Sequence, residues 1–191
     1  MRRTPFRLRA GFSLPEMLVA LMMLSFIITG AATLLNVTRR QQRTLRLYSQ
    51  VQTDLRAGVR RATRTLRHAS EVVSPSSATN FPVKTSGSTQ VIVLVPEPTG
   101  TSPSVIEVRF YLSSGVLYAQ RSDVAGPGVA LESDVQSLAF NYFRTSGAVR
   151  TAVDSTPTQA TEIQMTVTGS SSTMTSSLTT LVTMRNALTV L

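Results

Sequence analysis

One carboxylate, Glu16, stands alone in an otherwise uncharged stretch between Arg9 and Arg39. It is followed at once by an apolar run that begins at Met17 and ends at Leu35. An ionised carboxylate that enters a bilayer core costs a few kcal/mol unless it meets a cation. The position of Glu16 therefore predicts a functional residue that pairs with a buried positive charge.

The residues before Glu16 allow a second interpretation. Ser13 and Glu16 have the Ser-x-x-Glu spacing of a capping box. Pro15 suits a first helical turn, because the N–H group it lacks would be unpaired there anyway. On this interpretation the motif only starts a helix.

A third alternative comes from the small residues Thr29, Gly30, Ala31 and Ala32. They fit the cleavage region of an ordinary secretory signal peptide. They also fit a surface that a neighbouring helix approaches closely. Against the secretory interpretation, the charged leader is separated from the apolar run by the stretch Gly11-Phe12-Ser13-Leu14-Pro15-Glu16.

This stretch, with the basic leader before it and the apolar run after it, resembles the N terminus of the type IV pilin and pseudopilin superfamily. The resemblance implies that a prepilin peptidase cuts between Gly11 and Phe12 and that the new amine of Phe12 is methylated. It also implies that Glu16 pairs with the terminal amine of a neighbouring subunit, since two buried opposite charges compensate each other. The partners implied are other pilin or pseudopilin subunits, the peptidase/methyltransferase and the membrane.

The chain is predicted to contain a cleaved leader (1–11), a transmembrane and assembly helix (12–37), an amphipathic helix (38–72) and a β-rich globular head (73–191). As a helix, the apolar run would measure ~35 Å, which is enough to cross a hydrocarbon core of ~30 Å. The side chains predicted to lie in the membrane are Met17, Leu18, Val19, Ala20, Leu21, Leu24, Phe26, Ile27, Ile28, Leu34 and Leu35.

Beyond the apolar run, hydrophobic residues recur at three- and four-residue spacing, which predicts an amphipathic helix. Those residues are Leu45, Tyr48, Val51, Leu55, Val59, Ala62, Leu66 and Ala69. No proline interrupts the two segments, so a single helix from about Leu14 to about Ser70 is expected. Gly58 lies inside it and indicates a kink or a close contact.

After a Ser/Thr/Pro-rich loop (74–89) the periodicity changes to two, which is typical of strands. Strands are predicted at Val91–Val95, Ile106–Leu112, Val116–Arg121, Val135–Phe143, around Ile163–Val167 and at Leu178–Arg185, with turns at 113–115, 126–128 and 169–172. The fold class is therefore α+β, with a long N-terminal helix packed on an antiparallel sheet of five or six strands. This half is similar to the larger minor pilins (PilW-like) and to J-type pseudopilins.

The net charge of +9 is unevenly placed. Four arginines lie in the leader and nine between Arg39 and Arg67, whereas from Ala69 onward six basic residues face eight acidic ones, which gives −2. Arg56, Arg60, Arg64 and Arg67 line one helix face. That face is interpreted as solvated, with acidic lipid head groups, acidic neighbours in a filament or DNA as alternatives.

No catalytic, metal or cofactor site is predicted. The chain has no cysteine and a single histidine, His68. Asp123, Glu132, Asp134 and Asp154 fit no calcium-loop spacing and are interpreted as solvated loop charges. The sequence indicates a structural subunit rather than an enzyme.

The resemblance predicts a minor pilin or pseudopilin of a type IV pilus or type II secretion-like filament. It would sit in the cytoplasmic membrane as a single-pass protein with its head outside the cytoplasm. Arginines flank both ends of the apolar run, so the positive-inside rule does not orient it, and the orientation rests on the resemblance. The alternative is a DNA-binding minor pilin of a DNA-uptake pilus.

Overall fold

The computed structural model describes residues 13–97, 104–171 and 174–185. The chain divides into two compact units, Met1–Arg46 and Leu47–Leu191, and the second is called the head unit below. A single helix, α1, runs from Leu14 to His68. The expected uninterrupted helix is therefore confirmed, and it ends two residues before the predicted position.

The start of α1 is fixed by main-chain hydrogen bonds. The carbonyl oxygen of Ser13 accepts from the N–H groups of Glu16 (3.0 Å) and Met17 (3.2 Å). At the other end, Arg67 and His68 occupy the last turn, where basic residues interact favourably with the helix dipole. The chain then enters a strand within three residues.

Nine strands form two antiparallel sheets in the described part of the chain. The first sheet has the order β1-β2-β3-β4-β5, with β1 (Glu71–Val72), β2 (Gln90–Glu97), β3 (Ser104–Ser113), β4 (Val116–Arg121) and β5 (Val129–Glu132). The second has the order β7-β6-β8-β9, with β6 (Val135–Ser146), β7 (Val149–Ala152), β8 (Glu162–Ser171) and β9 (Met174–Thr183). A short 3₁₀ helix, Pro157–Gln159, precedes β8.

The predicted α+β class is confirmed, and the strands are divided between two sheets. The hairpin β3–β4 forms as expected, because Ser114 (φ 50°) and Gly115 (φ 76°) both take the positive φ that a type I′ turn needs. β5 and β7 were not predicted. β8 continues through Gly169 to Ser171, where the sequence predicts a turn.

The core of the head unit lies between α1 and the two sheets. The part of the helix stripe that is buried consists of Leu55, Val59, Ala62 and Leu66. They pack against inward-facing residues of both sheets, among them Val91, Val93, Phe110, Phe140, Ile163, Met165, Val167 and Val182. Leu45 and Tyr48 share the stripe in sequence but are 66% and 38% exposed. Burial of the helix therefore begins near Val51.

Two contacts show how closely the helix approaches the sheets. A Cβ atom added to Gly58 would lie 2.7 Å from Cβ of Glu132 in β5. A Cβ atom added to Gly169 in β8 would lie 2.8 Å from Cδ2 of Leu55. The predicted close contact at Gly58 is confirmed, and glycine is the residue that permits it.

Candidate functional site

Glu16 lies in the first turn of α1, and its side chain is exposed. Its main-chain N–H donates to Ser13, as described above, but its carboxylate makes no ion pair with any described residue. The side-chain bonds of a capping box are not among the hydrogen bonds of residues 13–97. The carboxylate is thus available to a group outside this part of the chain.

The apolar residues that follow Glu16 are all exposed. They include the full set predicted to lie in the membrane, from Met17 to Leu35, and Phe26 is 80% exposed. By length and composition α1 is able to cross a membrane. Gly11 and Phe12, the predicted cleavage residues, lie outside the described residues.

The comparison with known families decides what kind of N terminus this is. Residues 6–32 match the family described as the prokaryotic N-terminal methylation motif. This segment is a type IV pilin-type prepilin leader. The match covers the second half of the leader, Glu16 and most of the apolar run, and it supports a pilin-like subunit that is processed at its N terminus. No curated protein matches the chain.

Membrane anchoring is consistent with this leader and with the exposed apolar half of the helix. A large apolar surface that no part of its own chain covers is normally covered by lipid or by another protein. The motif implies assembly with other pilin subunits, which would be such a partner, and processing by a prepilin peptidase.

A second feature lies in the head unit, where α1 and β9 enclose a groove of about 510 Å³. The residues that line it are Arg56, Val59, Arg60, Thr63, Arg64, Arg67, His68, Leu178, Thr179, Thr180 and Arg185. The predicted arginine face is therefore one wall of a groove. We call Arg56, Arg60, Arg64, Arg67 and Arg185 the arginine cluster.

The arginine cluster is exposed and has no acidic partner in the part of the chain that the structure describes. All five residues are exposed, and none forms an ion pair within residues 13–97, 104–171 and 174–185. Arg185 is placed beside the helix by its main-chain N–H, which donates to the carbonyl oxygen of Arg67 at 3.1 Å. The strand order and this bond bring together residues more than a hundred positions apart, which the sequence pattern did not reveal.

Asp123, Glu132, Asp134 and Asp154 form no metal-binding group among the described residues, and three of them have specific surroundings. Asp123 pairs with Arg121 at 2.8 Å, an exposed contact. Asp154 accepts a hydrogen bond from the main-chain N–H of Tyr142 at 2.7 Å. Glu132 lies in β5 against α1, where burial and the nearby carboxylate of Asp54 raise the pKa of its carboxyl group.

Two charged residues of β3, Glu107 and Arg109, are buried, although their alternation with apolar residues predicts an outward face. Burial by itself would raise the pKa of Glu107, but hydrogen bonds donated by Ser76 and Ser77 outweigh it and hold that pKa below 4.5. Arg109 donates to Oε1 of Gln90 at 2.8 Å, and its guanidinium lies 4.1 Å from the ring centre of Tyr111.

Proposed function

We propose that this protein is a minor pilin or pseudopilin, a structural subunit of a type IV pilus or a type II secretion-like filament. The observation that carries the proposal is the N-terminal methylation motif at residues 6–32, which leads directly into a helix with an exposed apolar first half. Residues 1–11 are removed as the leader. Residues 12–37 form the membrane and assembly helix, residues 38–72 continue it, and residues 73–191 form the β-rich head.

In this proposal the chemical centre is the bond between Gly11 and Phe12 together with the carboxylate of Glu16. Cleavage creates a cationic amine on Phe12, and methylation retains its charge. In a membrane or filament interior that amine and the Glu16 carboxylate of a neighbouring subunit compensate each other, whereas either alone would be penalised. The pairing makes insertion into the filament favourable only in one register along the helix.

The first test is the N terminus of the mature protein. The full chain is expressed in a bacterial membrane together with an active prepilin peptidase, and its intact mass is measured. The expected product starts at Phe12 and carries one methyl group. Gly11→Val is the control, and it is expected to keep the leader. A mature terminus near Ala31, or an uncut wild-type chain beside an active peptidase, would overturn the proposal.

The second test separates the charge of Glu16 from its size. Glu16→Gln is expected to be cut normally and to be largely lost from sheared or pelleted filaments, because the buried amine is then unpaired. Glu16→Asp keeps the charge and is expected to retain part of the incorporation. If Glu16→Gln enters filaments as well as the wild type, the charge-pair role is wrong.

The proposed location is the cytoplasmic membrane, as a single-pass protein with the head outside the cytoplasm, and then the assembled filament. A minor role is supported by the size of the head and by the absence of cysteine from the chain, which departs from the disulfide-closed head of many major pilins. Cysteine-scanning of the head with a membrane-impermeant thiol reagent tests the orientation. Labelling of a cysteine at exposed Val149 in intact spheroplasts is the expected result.

A further inference from the structure

The groove that the arginine cluster lines also contains the free edge of β9. β9 is the last strand in the order β7-β6-β8-β9, so its outer edge pairs with no described strand. Strand edges are usually protected by lysine, proline or a bulge. β9 runs for ten residues without a charged residue or a proline, and its pairing with β8 shows no register shift.

The direction of the main-chain groups in β9 follows from one hydrogen bond. The N–H of Met184 donates to the carbonyl oxygen of Thr161 at 3.0 Å, which continues the register in which Glu162 faces Thr183. Main-chain groups alternate in direction along a strand. Those of the even-numbered residues therefore point to β8, and those of odd-numbered residues such as Thr179 point out of the sheet edge.

Thr63 adds an independent sign of an incomplete surface. It lines the same groove, and its Oγ1 atom is buried without a hydrogen-bond partner in the described part of the chain. Buried polar atoms are normally paired, because an unpaired one costs about 1–3 kcal/mol. If the Thr63 side chain rotates toward the groove, a partner seated there supplies the missing group.

We propose that this groove binds an extended acidic segment of a neighbouring subunit, which adds a strand to β9 while its carboxylates pair with the arginine cluster. That the partner is a filament subunit rests on the proposed function. Binding of an acidic strand does not, because it depends only on the head unit. Main-chain hydrogen bonds supply affinity in this mode, and side-chain contacts supply specificity.

The free strand edge favours a peptide over a nucleic acid. Binding of nucleic-acid phosphates would explain the arginines. It would not need a row of main-chain donors beside the arginines. The arginines follow one another at three- and four-residue spacing along α1, so their row runs beside β9 for about 16 Å. Carboxylates on alternate residues of a strand recur at about 6.6 Å, which is close to the rise of one helical turn. An acidic strand can therefore meet several arginines at once.

The test uses the full chain in a nonionic detergent and a fluorescent peptide, Thr-Glu-Val-Glu-Thr-Glu-Val-Glu-Thr, with binding followed by anisotropy. Two further peptides carry N-methyl groups, one on the odd residues and one on the even residues. Strand addition uses only one of these two sets of N–H groups. One N-methylated peptide is therefore expected to bind like the parent and the other about tenfold or more weakly, ~1.4 kcal/mol.

The charge arm compares Arg60→Glu/Arg64→Glu with the matched control Arg43→Glu/Arg46→Glu. Both change the net charge equally and on exposed helix positions, but only the first pair lies in the groove. The groove variant is expected to weaken peptide binding about tenfold or more, and the control by less than about threefold.

Three results would overturn the proposal. They are no binding of the acidic peptide at low salt, equal weakening by both N-methylated peptides, and displacement of the peptide by a short double-stranded DNA that binds more tightly. The last result would make the groove a nucleic-acid site.

Thr179→Pro removes one outward N–H from the edge of β9. It is expected to weaken peptide binding while leaving the unfolding midpoint close to that of the wild type.

Discussion

Replacing Gly58 by alanine tests how the long helix is seated on the first sheet. The added Cβ would lie 2.7 Å from Cβ of Glu132, 3.2 Å from its Oε2 and 3.3 Å from its Cγ. The Glu132 Cβ is fixed to the main chain of β5 and cannot rotate away. The helix or β5 must therefore move.

Two effects of opposite sign decide the outcome. Alanine improves the helix propensity of the position by up to ~1 kcal/mol. Overpacking of a close contact costs about 1–3 kcal/mol. β5 is a four-residue edge strand, so part of the strain will be relieved by a shift of that strand. We expect a net loss of ~1 kcal/mol in the free energy of unfolding and a fall of about 2–4 °C in the melting temperature.

Removing the other partner should reverse the sign. In the Glu132→Gly background the obstructing Cβ is absent, so Gly58→Ala is expected to stabilise the head unit by up to ~1 kcal/mol. The assay is urea unfolding of the full chain in nonionic detergent, followed by tyrosine fluorescence, with an unchanged denaturant slope as the check on two-state behaviour. If Gly58→Ala stabilises both backgrounds equally, the contact does not limit the packing and the reasoning is wrong.

Glu107 and Glu132 should change stability in opposite directions with pH. The pKa of Glu107 is lowered from 4.5 in the fold, so the stability that its ionised carboxylate contributes is present above pH 4.5 and is lost as the pH falls below that value. Glu107→Gln should therefore lower the melting temperature at neutral pH and make the melting temperature fall less steeply in acid. The pKa of Glu132 is raised, so its ionisation costs stability, and Glu132→Gln should raise the melting temperature at neutral pH but change it little in acid. Melting curves between about pH 3 and pH 7 check both signs, and parallel shifts would contradict them. Separately, Tyr142→Phe removes a hydroxyl that lies 2.8 Å from the carbonyl oxygen of Gly87 and 3.1 Å from that of Gln90. The expected loss is about 1–2 kcal/mol in the free energy of unfolding, measured in urea. An unchanged unfolding midpoint would show that water replaces these bonds without a loss of stability.

The elements that could be predicted are those whose pattern is local. The three- and four-residue spacing from Val51 to Ala69 has one physical solution, an amphipathic helix, and the structure contains it. The β3–β4 hairpin was predictable for the same reason, since Ser114 and Gly115 lie between two alternating runs. β7 has four exposed residues and β5 only two partly buried ones, so neither carried the alternation that marks a strand.

The division into two sheets was not readable, because it depends on pairings between strands distant in sequence. Isolated main-chain hydrogen bonds add to the shared core, such as the one that the N–H of Phe140 in β6 donates to the carbonyl oxygen of Ser88, just before β2, at 2.8 Å. Burial of Glu107 and Arg109 was hidden for a similar reason. Alternation predicts an outward face for them, but Ser76, Ser77 and Phe81 lie over that face in the segment between β1 and β2.

The N-terminal motif could be recognised from the sequence because it is linear, with Gly11, Phe12 and Glu16 within six positions and inside the matched segment 6–32. The cleavage and pairing roles of these three residues stay predictions. The arginine cluster was only half predictable. Its four helical members share a face by spacing alone, whereas Arg185 and the edge of β9 join them through tertiary structure. The sequence therefore predicted where the helical arginines lie, and the fold showed that the edge of β9 lies opposite them.

The boundary of burial along α1 separates two kinds of surface. From Leu55 onward every third or fourth helical residue contributes to the core of the head unit, so that part of the helix is stabilised by its own chain. Residues 14–50 are exposed throughout, and they include the large apolar side chains that in water would each cost about 1.5–3 kcal/mol relative to burial. In the proposed membrane and filament, lipid or other subunits would cover these side chains. Among residues 14–38 only Glu16 is charged, so it is the one position in that surface where a partner can be selected by charge rather than by shape.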